Sequence, residues 1–533
     1  MMNRLKLLLL MALMLAVLAG VVVFASPYAP VVGGPVEIEA LWAIEDTREE
    51  SETPLVTALE NFGVPLGYDE AENTFYCTLG LENGEEWPEL HLTAPDAKGV
   101  SICFSDDYTY DFCADAIAEG YSYELMAYND THYSYFYIVF TGLPVASIHT
   151  DADITIEESL ARFAIGTADS GGLSCESLVR LRGDGSLYGT EKLSYRIAFS
   201  NSRRTAMREV PGMGVLETVN FVAMAFDDTL MHDKLSWDLI GMMTQESEPF
   251  RARKTQYVEM FVNDEYAGVY LMMEPMDYET EIGKASGSAL LTDSLYRTTV
   301  VDKVRSNAVL PGHQTWGYEL FYSPDANDPF ASLGAYIALR DTEDDAEFER
   351  LALEHIDLKS ALGYCAFLQN AGLVDNVQNN MFIWAHMENG KIRYRFMPWD
   401  MDRAWGMNAG GDYQHWSVFP VADRLLRLDT GDARQVFADV WAEMKVCGFN
   451  EQTIETLVRG YEHELNDSGA ALRNAYRWGT NTADGSELLM FFSARTALFE
   501  QTLEAMLATQ GPIPFLTEEP YADWQIYVDM PTE

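Results

Sequence analysis

The hydrophobic pattern changes texture four times along the chain. An unbroken apolar run from Leu7 to Ala25 follows Arg4 and Lys6 and ends in Ala25-Ser26-Pro27. A positive start, an apolar stretch and small residues at its end make up a secretory leader, and the run is also long enough for an uncleaved anchor. Residues 1–26 are therefore expected to be a signal peptide or signal anchor. The protein is expected to be exported, either extracellular or membrane-anchored at the cell surface. From Val36 to Leu143, Tyr, Phe, Thr and Val recur between acidic turns, which predicts a small β-rich accessory domain over 27–142. Within it, spacing predicts a helix over 54–62 stopped by Gly63, then strands at 64–68 and 74–79 around a turn at 69–73. Aromatic alternation over 108–140 reads as strands.

After Gly142-Leu143-Pro144 the texture becomes mixed. Strands are expected at 178–182, 193–199, 257–262 and 269–273, and helices at 234–243, 357–371 and 434–444. Together these predict one α+β domain over 143–510, with a mostly antiparallel sheet built from the hairpins at 257–273 and 381–399. The acidic run at 343–349 reads as a solvated face, and 511–533, with four prolines, as an extended tail. The helix-then-hairpin unit at 54–79 resembles the copper-amine-oxidase-like stalk domain of exported bacterial proteins.

Composition narrows the function. The 533 residues carry 35 Lys+Arg against 83 Asp+Glu, a net charge of −48. Such a chain repels nucleic-acid phosphate and anionic lipid, which leaves no nucleic-acid partner and a membrane contact only through the N-terminal anchor. With 48% apolar residues it buries a sizeable core, and disorder of the whole is excluded. Export permits disulfides among the six cysteines, of which only Cys103 and Cys113 are spaced for a local bridge, while Cys365 and Cys447 read as buried and free. Neither CxxC nor HExxH occurs, so zinc has no support.

The richest stretch runs from Asp357 to Gly406. Asp357 is placed to cap a helix that Gly372 stops. Asp375, Asn376 and Asn380 follow, then strands at 381–387 and 391–399 joined by Asn389-Gly390, the strongest short hairpin signal. With those two residues as the loop, Glu388 faces Lys391 and Asn380 falls opposite Trp399, one residue from Asp400. Strands lie about 5 Å apart, so Asn380 and Asp400 can reach one ion. The order Asp375, Asn380, hairpin, Asp400 is that of a protein-kinase catalytic loop and its metal-binding aspartate. A buried hairpin with polar ends accounts for the same residues without chemistry.

This stretch resembles the spore-coat protein H (CotH) kinase family, and the resemblance extends over about 143–428. Its carriers are Leu143 to Ile148, Arg182-Gly183-Asp184-Gly185-Ser186, and Lys192 to Arg196. They continue with Asp228-Thr229-Leu230-Met231 before Lys234-Leu235, and Val262 to Tyr266 with Gly268, Tyr270 and Glu274. Pro398-Trp399-Asp400-Met401-Asp402 with Trp405-Gly406 completes them. The resemblance implies an atypical protein-kinase-like domain that transfers the ATP γ-phosphate to Ser/Thr of surface or coat proteins with Mg²⁺ or Mn²⁺. It gives Lys192, Glu274 and Trp399 to the nucleotide, with Glu274 orienting the lysine or the metal. Asp375 becomes the base-like residue, Asn380 and Asp400 the metal ligands, and Asp402 a further ligand candidate.

Two departures stand out. Leu193 replaces the motif's second lysine, and His232-Asp233 stands where the family has an arginine and a polar residue. Gly183, Gly185 and Gly189 are spaced one residue too far for a GxGxxG lid, and a hairpin turn explains them. A metal-dependent enzyme of another kind, and a non-catalytic coat-assembly scaffold, use the same residues and remain open.

Overall fold

The computed structural model describes residues 34–81, 86–168, 171–183, 189–201, 204–244, 251–277, 281–283, 289–300, 309–311, 316–374, 376–407 and 416–511. The expected leader, Asp375 and the tail after Gly511 lie outside the described residues.

Alternation of large apolar and polar residues closes the first part of the catalytic-domain candidate into a barrel. Its strands are β1 (Val145–His149), β2 (Ser159–Gly166), β3 (Gly172–Arg182), β4 (Ser194–Asn201), β5 (Thr218–Val222), β6 (Thr255–Val262) and β7 (Glu265–Met273). They pair in the order β3-β2-β1-β6-β7-β5-β4, and β4 pairs back onto β3. Every pair is antiparallel except β1 with β6. Val179, Ile197, Phe199, Val219, Phe221, Val258, Met260 and Met272 point inward into one core. Closure leaves these strands no aggregation-prone edge. The opposite faces of β5, β6 and β7 present Val222, Tyr257, Leu271 and Met273 to a larger, mainly helical core.

That second core also carries helix α1 (His232–Met243) and a five-stranded antiparallel sheet. Its strands are β8 (Ser294–Val300), β9 (Val309–Pro311), β10 (Trp316–Tyr322), β11 (Met381–Glu388) and β12 (Lys391–Pro398), ordered β9-β10-β8-β11-β12. Helix α2 (Leu358–Ala371) packs against β12 and is buried over almost its whole circumference, as a helix apolar on most faces must be. Asp357 caps it by accepting from Ser360 N at 3.0 Å, and Gly372 ends it in the left-handed conformation, φ 66°. Helices α3 (Ala470–Trp478) and α4 (Ser486–Ala508) complete the packing. The α+β class is as expected. The two expected hairpins, however, belong to different sheets, because the first is consumed in closing the barrel.

The N-terminal residues form a separate mixed sheet around Phe75, Leu125, Phe136, Ile138 and Phe140. Its last strand ends at Thr141 and the barrel starts at Val145. The expected helix over 54–62 does not form. Leu55 N bonds Ser134 Oγ and Thr57 N bonds Asp96 Oδ2, so side-chain acceptors elsewhere satisfy a backbone that stays irregular and bent. Two short helices, Asp107–Asp111 and Ala114–Ala118, precede the hairpin Ser122–Tyr128 and His132–Thr141, where strands alone were expected. All six cysteines are free, Cys103 and Cys113 included; Cys365 is buried as expected, whereas Cys447, at the end of its helix, is exposed. The acidic run is only partly solvated, since Asp345 bridges Arg424 and Arg427. Among the described residues no helix is long and apolar enough to cross a membrane.

The N-terminal sheet docks closely on the barrel. Tyr76 packs on Phe261 and Tyr266, and Thr78 Oγ1 accepts from Val145 N at 3.1 Å. A Cβ on Gly67 would lie 2.5 Å from the Phe261 ring and 2.8 Å from Val145. Gly67→Ala is therefore expected to destabilise the protein by about 1–3 kcal/mol through overpacking at this seam, read as a lower melting temperature. A melting curve equal to that of the unaltered protein would mean the seam relaxes freely.

Candidate active site

A two-residue turn sets the register of the site. Asn389 and Gly390 both have positive φ, 50° and 78°, the twist that a tight hairpin requires. Glu388 pairs with Lys391 and Met381 with Pro398, and Trp399 N then donates to Asn380 O at 2.9 Å. Asn380 thus lies opposite Trp399, as the turn implied, and its Nδ2 stands 3.4 Å from Asp400 Oδ2. Both residues leave the sheet in the left-handed region, φ 58° and 57°, which Asn and Asp tolerate better than other side chains. Asn380 N is fixed on Thr298 O at 3.1 Å.

Asp375 lies outside the described residues, but its neighbour fixes the approach loop. Buried Asn376 donates to Trp399 O at 2.6 Å, and its own carbonyl accepts from the Tyr364 hydroxyl. The loop is tied to the residue that precedes Asp400. Trp399 itself is held edge-on by Trp237 and Phe382.

Further carboxylates crowd this turn. Asp233, buried on α1, accepts from Met401 N at 3.0 Å and so grips the residue after Asp400. Burial, reinforced by Asp400, pushes the Asp233 carboxyl up to about 7. The same two causes, burial first, raise half-buried Asp402 well above the carboxylate range. In the sequence Asp233 carries no signal beyond its departure from the family pattern. The helix-start aspartate also shifts by one position. Asp228 is exposed, and buried Asp227 makes the turn by accepting from Thr229 N at 2.9 Å and His232 N at 2.8 Å. The His232 ring occupies the place of the missing arginine, with Nδ1 2.9 Å from Asp227 Oδ1.

Beside the carboxylates, a pocket of about 260 Å³ opens between the barrel and the second sheet. Arg180, Arg182, Arg196 and Arg297 line it, together with Asn220 and Trp399. Strand register gathers them: Arg180 pairs directly with Arg196, Arg196 with Asn220, and Arg182 follows Arg180 on the same face. Like charges directly opposite on a sheet cost about 0.2–1 kcal/mol. Burial lowers the Arg196 pKa, and Arg180 and Arg182 lower it further. Asp400 and Asp233 act in the opposite sense on Arg182, which joins the basic wall to the acidic mouth.

Lys192 and Glu274 are hydrogen-bonded to residues other than those of the turn. The Lys192 ammonium donates to Val269 O at 2.7 Å and Asn474 Oδ1 at 2.9 Å, over the Tyr270 ring, with 4% of the residue exposed. Glu274 is held by Arg251 through two bonds of 2.7 and 2.9 Å. Trp399, Asn380, Asp400 and Asp402 are brought together at the turn, whereas Lys192 and Glu274 make their hydrogen bonds with Val269, Asn474 and Arg251.

A divalent ion fits the acidic mouth chemically. Carboxylate and amide oxygens are hard donors suited to Mg²⁺ or Mn²⁺, and a cation would relieve the charge that Asp400, Asp402 and Asp233 impose on one another. Among the described residues, no three Asp, Glu, His or Cys side chains converge on one ion position. Mg²⁺ typically needs only one or two carboxylates, with water and phosphate completing the shell. Asn380 would contribute its Oδ1 after a half-turn of the amide.

Two outcomes follow from these contacts. Burial, partly offset by Asp227, brings Lys192 down to about 7, far below a free lysine. Between pH 7 and about 10 the unfolded chain then holds a proton that the folded chain has released, so stability rises with pH by up to about 1.4 kcal/mol per unit. Lys192→Met should lose that rise in chemical denaturation at pH 7.5 and 9.5, and an unchanged difference between the two pH values would show a charged lysine. Asp233→Ala should free the Met401 amide, seen as faster hydrogen exchange in the peptide spanning 399–405. Asp233→Asn keeps an acceptor and should exchange as slowly as the parent. Equal exchange in all three proteins would remove Asp233 from the turn's support.

No curated protein matches the chain. The sequence model of the family described as CotH kinase protein does, over residues 179–506. That span reaches from the end of β3, through the hairpin and the Asp400 turn, to the last turn of α4, well over half of the chain. The chain belongs to the CotH kinase family.

Proposed function

We propose that the protein is an exported phosphotransferase that moves the γ-phosphate of ATP to Ser or Thr hydroxyls of surface or coat proteins, with Mg²⁺ or Mn²⁺. The observation that carries this reading is the juxtaposition of Asn380 and Asp400 at the hairpin mouth, beside a pocket lined by arginines. Family membership supports kinase-like chemistry. The leader-like residues 1–26 support export.

Asn380 and Asp400 would hold the metal, with Asp402 as a further oxygen donor. The ion supplies charge neutralisation for the triphosphate when bound. Trp399 forms one wall of the nucleotide pocket. Asp375, on the loop that Asn376 fixes to Trp399, would orient the acceptor hydroxyl. The acceptor oxygen bonds to the γ-phosphorus, the bond from that phosphorus to the β,γ-bridging oxygen breaks, ADP leaves, and Asp375 receives the hydroxyl proton.

A second reading has its own observation. The Lys–Glu ion pair that protein kinases use for the nucleotide is absent between Lys192 and Glu274, whose polar atoms are engaged elsewhere. A scaffold that retains the kinase fold and assembles coat proteins is compatible with that arrangement.

Asp400→Asn is expected to abolish metal-dependent ATP binding and phosphoryl transfer. Asp375→Asn should lower single-turnover transfer steeply while ATP affinity and melting temperature stay near those of the parent. Labelled-ATP transfer to a Ser/Thr-rich acceptor, with and without Mn²⁺, measures both. Transfer undiminished in a folded Asp400→Asn protein would defeat the metal assignment. ATP binding without transfer by the unaltered protein would favour the scaffold.

A further inference from the structure

We infer that the phosphates of the donor are held by an arginine ladder, Arg180 and Arg196 with Asn220, flanked by Arg182 and Arg297, and not by Lys192. This rests on the kinase reading above for the identity of the donor, but its anion-binding content stands alone.

Four observations converge on the pocket. Arg180, Arg196 and Asn220 form one row across β3, β4 and β5, each directly opposite the next, on the outer face of the barrel. In a chain of net charge −48 this is a local concentration of positive charge. Two guanidiniums fixed opposite one another repel, and an anion between them turns that repulsion into attraction. Asn220 is 97% buried, from its 3% exposure, yet its Oδ1 has no hydrogen-bond partner. It lines the pocket, and its amide Nδ2 is a donor suited to a phosphate oxygen. The Arg297 Nε is likewise buried without a partner, while its Nη2 stays on Glu319 at 2.7 Å.

The hydrogen bonds already present leave the ladder available. Arg196 spends one weak bond of 3.3 Å on Thr218 Oγ1, and Arg180 one of 3.2 Å on Leu181 O. Among the described residues neither makes an ion pair with a carboxylate, and each guanidinium has five donors. Planar guanidinium groups match phosphate bidentately, which an ammonium does not. Lys192 is not among the residues that line the pocket, and its Nζ is engaged by Val269 O and Asn474 Oδ1. Ile156, Phe321 and Phe382 add apolar wall, and Trp399 places the pocket next to Asp400, where the terminal phosphate must lie for the metal to reach it.

The decisive probe is inorganic triphosphate, which carries the charge of the donor and no base. Calorimetric titration of the full-length protein without metal is expected to show binding that weakens as salt rises. Arg180→Met and Arg196→Met should each weaken it about 10- to 100-fold, the effect of losing a charge-assisted phosphate contact. Lys192→Met should stay within about threefold. Without ligand, Arg180→Met should melt at or above the parent temperature, because repulsion is relieved. Should the variants misfold, an arginine-selective dicarbonyl reagent on the unaltered protein replaces them: triphosphate should protect the peptides bearing Arg180 and Arg196. Unchanged affinity in both arginine variants, lack of protection, or a larger loss in Lys192→Met would overturn the inference. If triphosphate binds at the ladder but no transfer from ATP follows, the kinase reading falls and this one stands. If transfer proceeds normally in both arginine variants, the reverse holds.

Discussion

Charge of one sign is collected on each side of a narrow cleft, and each collection repels itself. Asp233, Asp400 and Asp402 stand at the mouth, and burial and mutual repulsion raise the first and last of them toward protonation. Arg180, Arg182, Arg196 and Arg297 stand on the wall. Arg182 senses both sets. Such an arrangement costs stability in the empty protein and is relieved when a cation enters on one side and a polyanion on the other. The rest of the fold is organised to keep the two sets from escaping.

Rigid elements do this on both sides. The basic wall is fixed because the barrel closes, so that the registers of β3, β4 and β5 cannot slip without turning interior residues outward. The acidic mouth is fixed by the Asn389–Gly390 turn, by Thr298 on Asn380 and by the Asp233–Met401 bond. The left-handed conformations at Asn380 and Asp400, which Asn and Asp tolerate, are further held by these neighbours. Behind the turn, Trp405 N donates to Ala371 O at 2.6 Å. A Cβ on Gly406 or on Gly372 would strike the Phe491 ring at 2.7 Å. The end of α2, the Asp400 turn and α4 are therefore one packed unit.

The buried lysine shows how a family pattern and a local environment part company. Lys192 occupies the motif's position, but Leu193 has replaced the neighbouring cation and Asn474 on α3 has captured the ammonium. The same α3 carries Arg473, which closes on buried Glu259 with bonds of 2.8 and 2.7 Å. Arg473 also lies over Tyr76 of the N-terminal sheet. One short helix thus joins the lysine, the barrel and the N-terminal sheet.

Short-range signals in the sequence determined the elements whose causes are local. The Asn389-Gly390 turn, the Asp357 cap and the Gly372 stop are each set by a few adjacent residues, and from the turn alone Asn380 falls opposite Trp399 beside Asp400. The motif residues likewise carried the family. Tertiary structure decided what depends on distant partners. The 54–62 segment has helical spacing, yet Ser134 and Asp96 satisfy two of its backbone amides in a non-helical form. Arg180, Arg196 and Asn220 lie on three separate strands and become a row only when the barrel closes. Asp233 lies far from Asp400 in sequence and meets it only because α1 packs under the turn. Side chains that act together through space leave no periodicity in the chain, whereas a turn or a cap is written in consecutive residues.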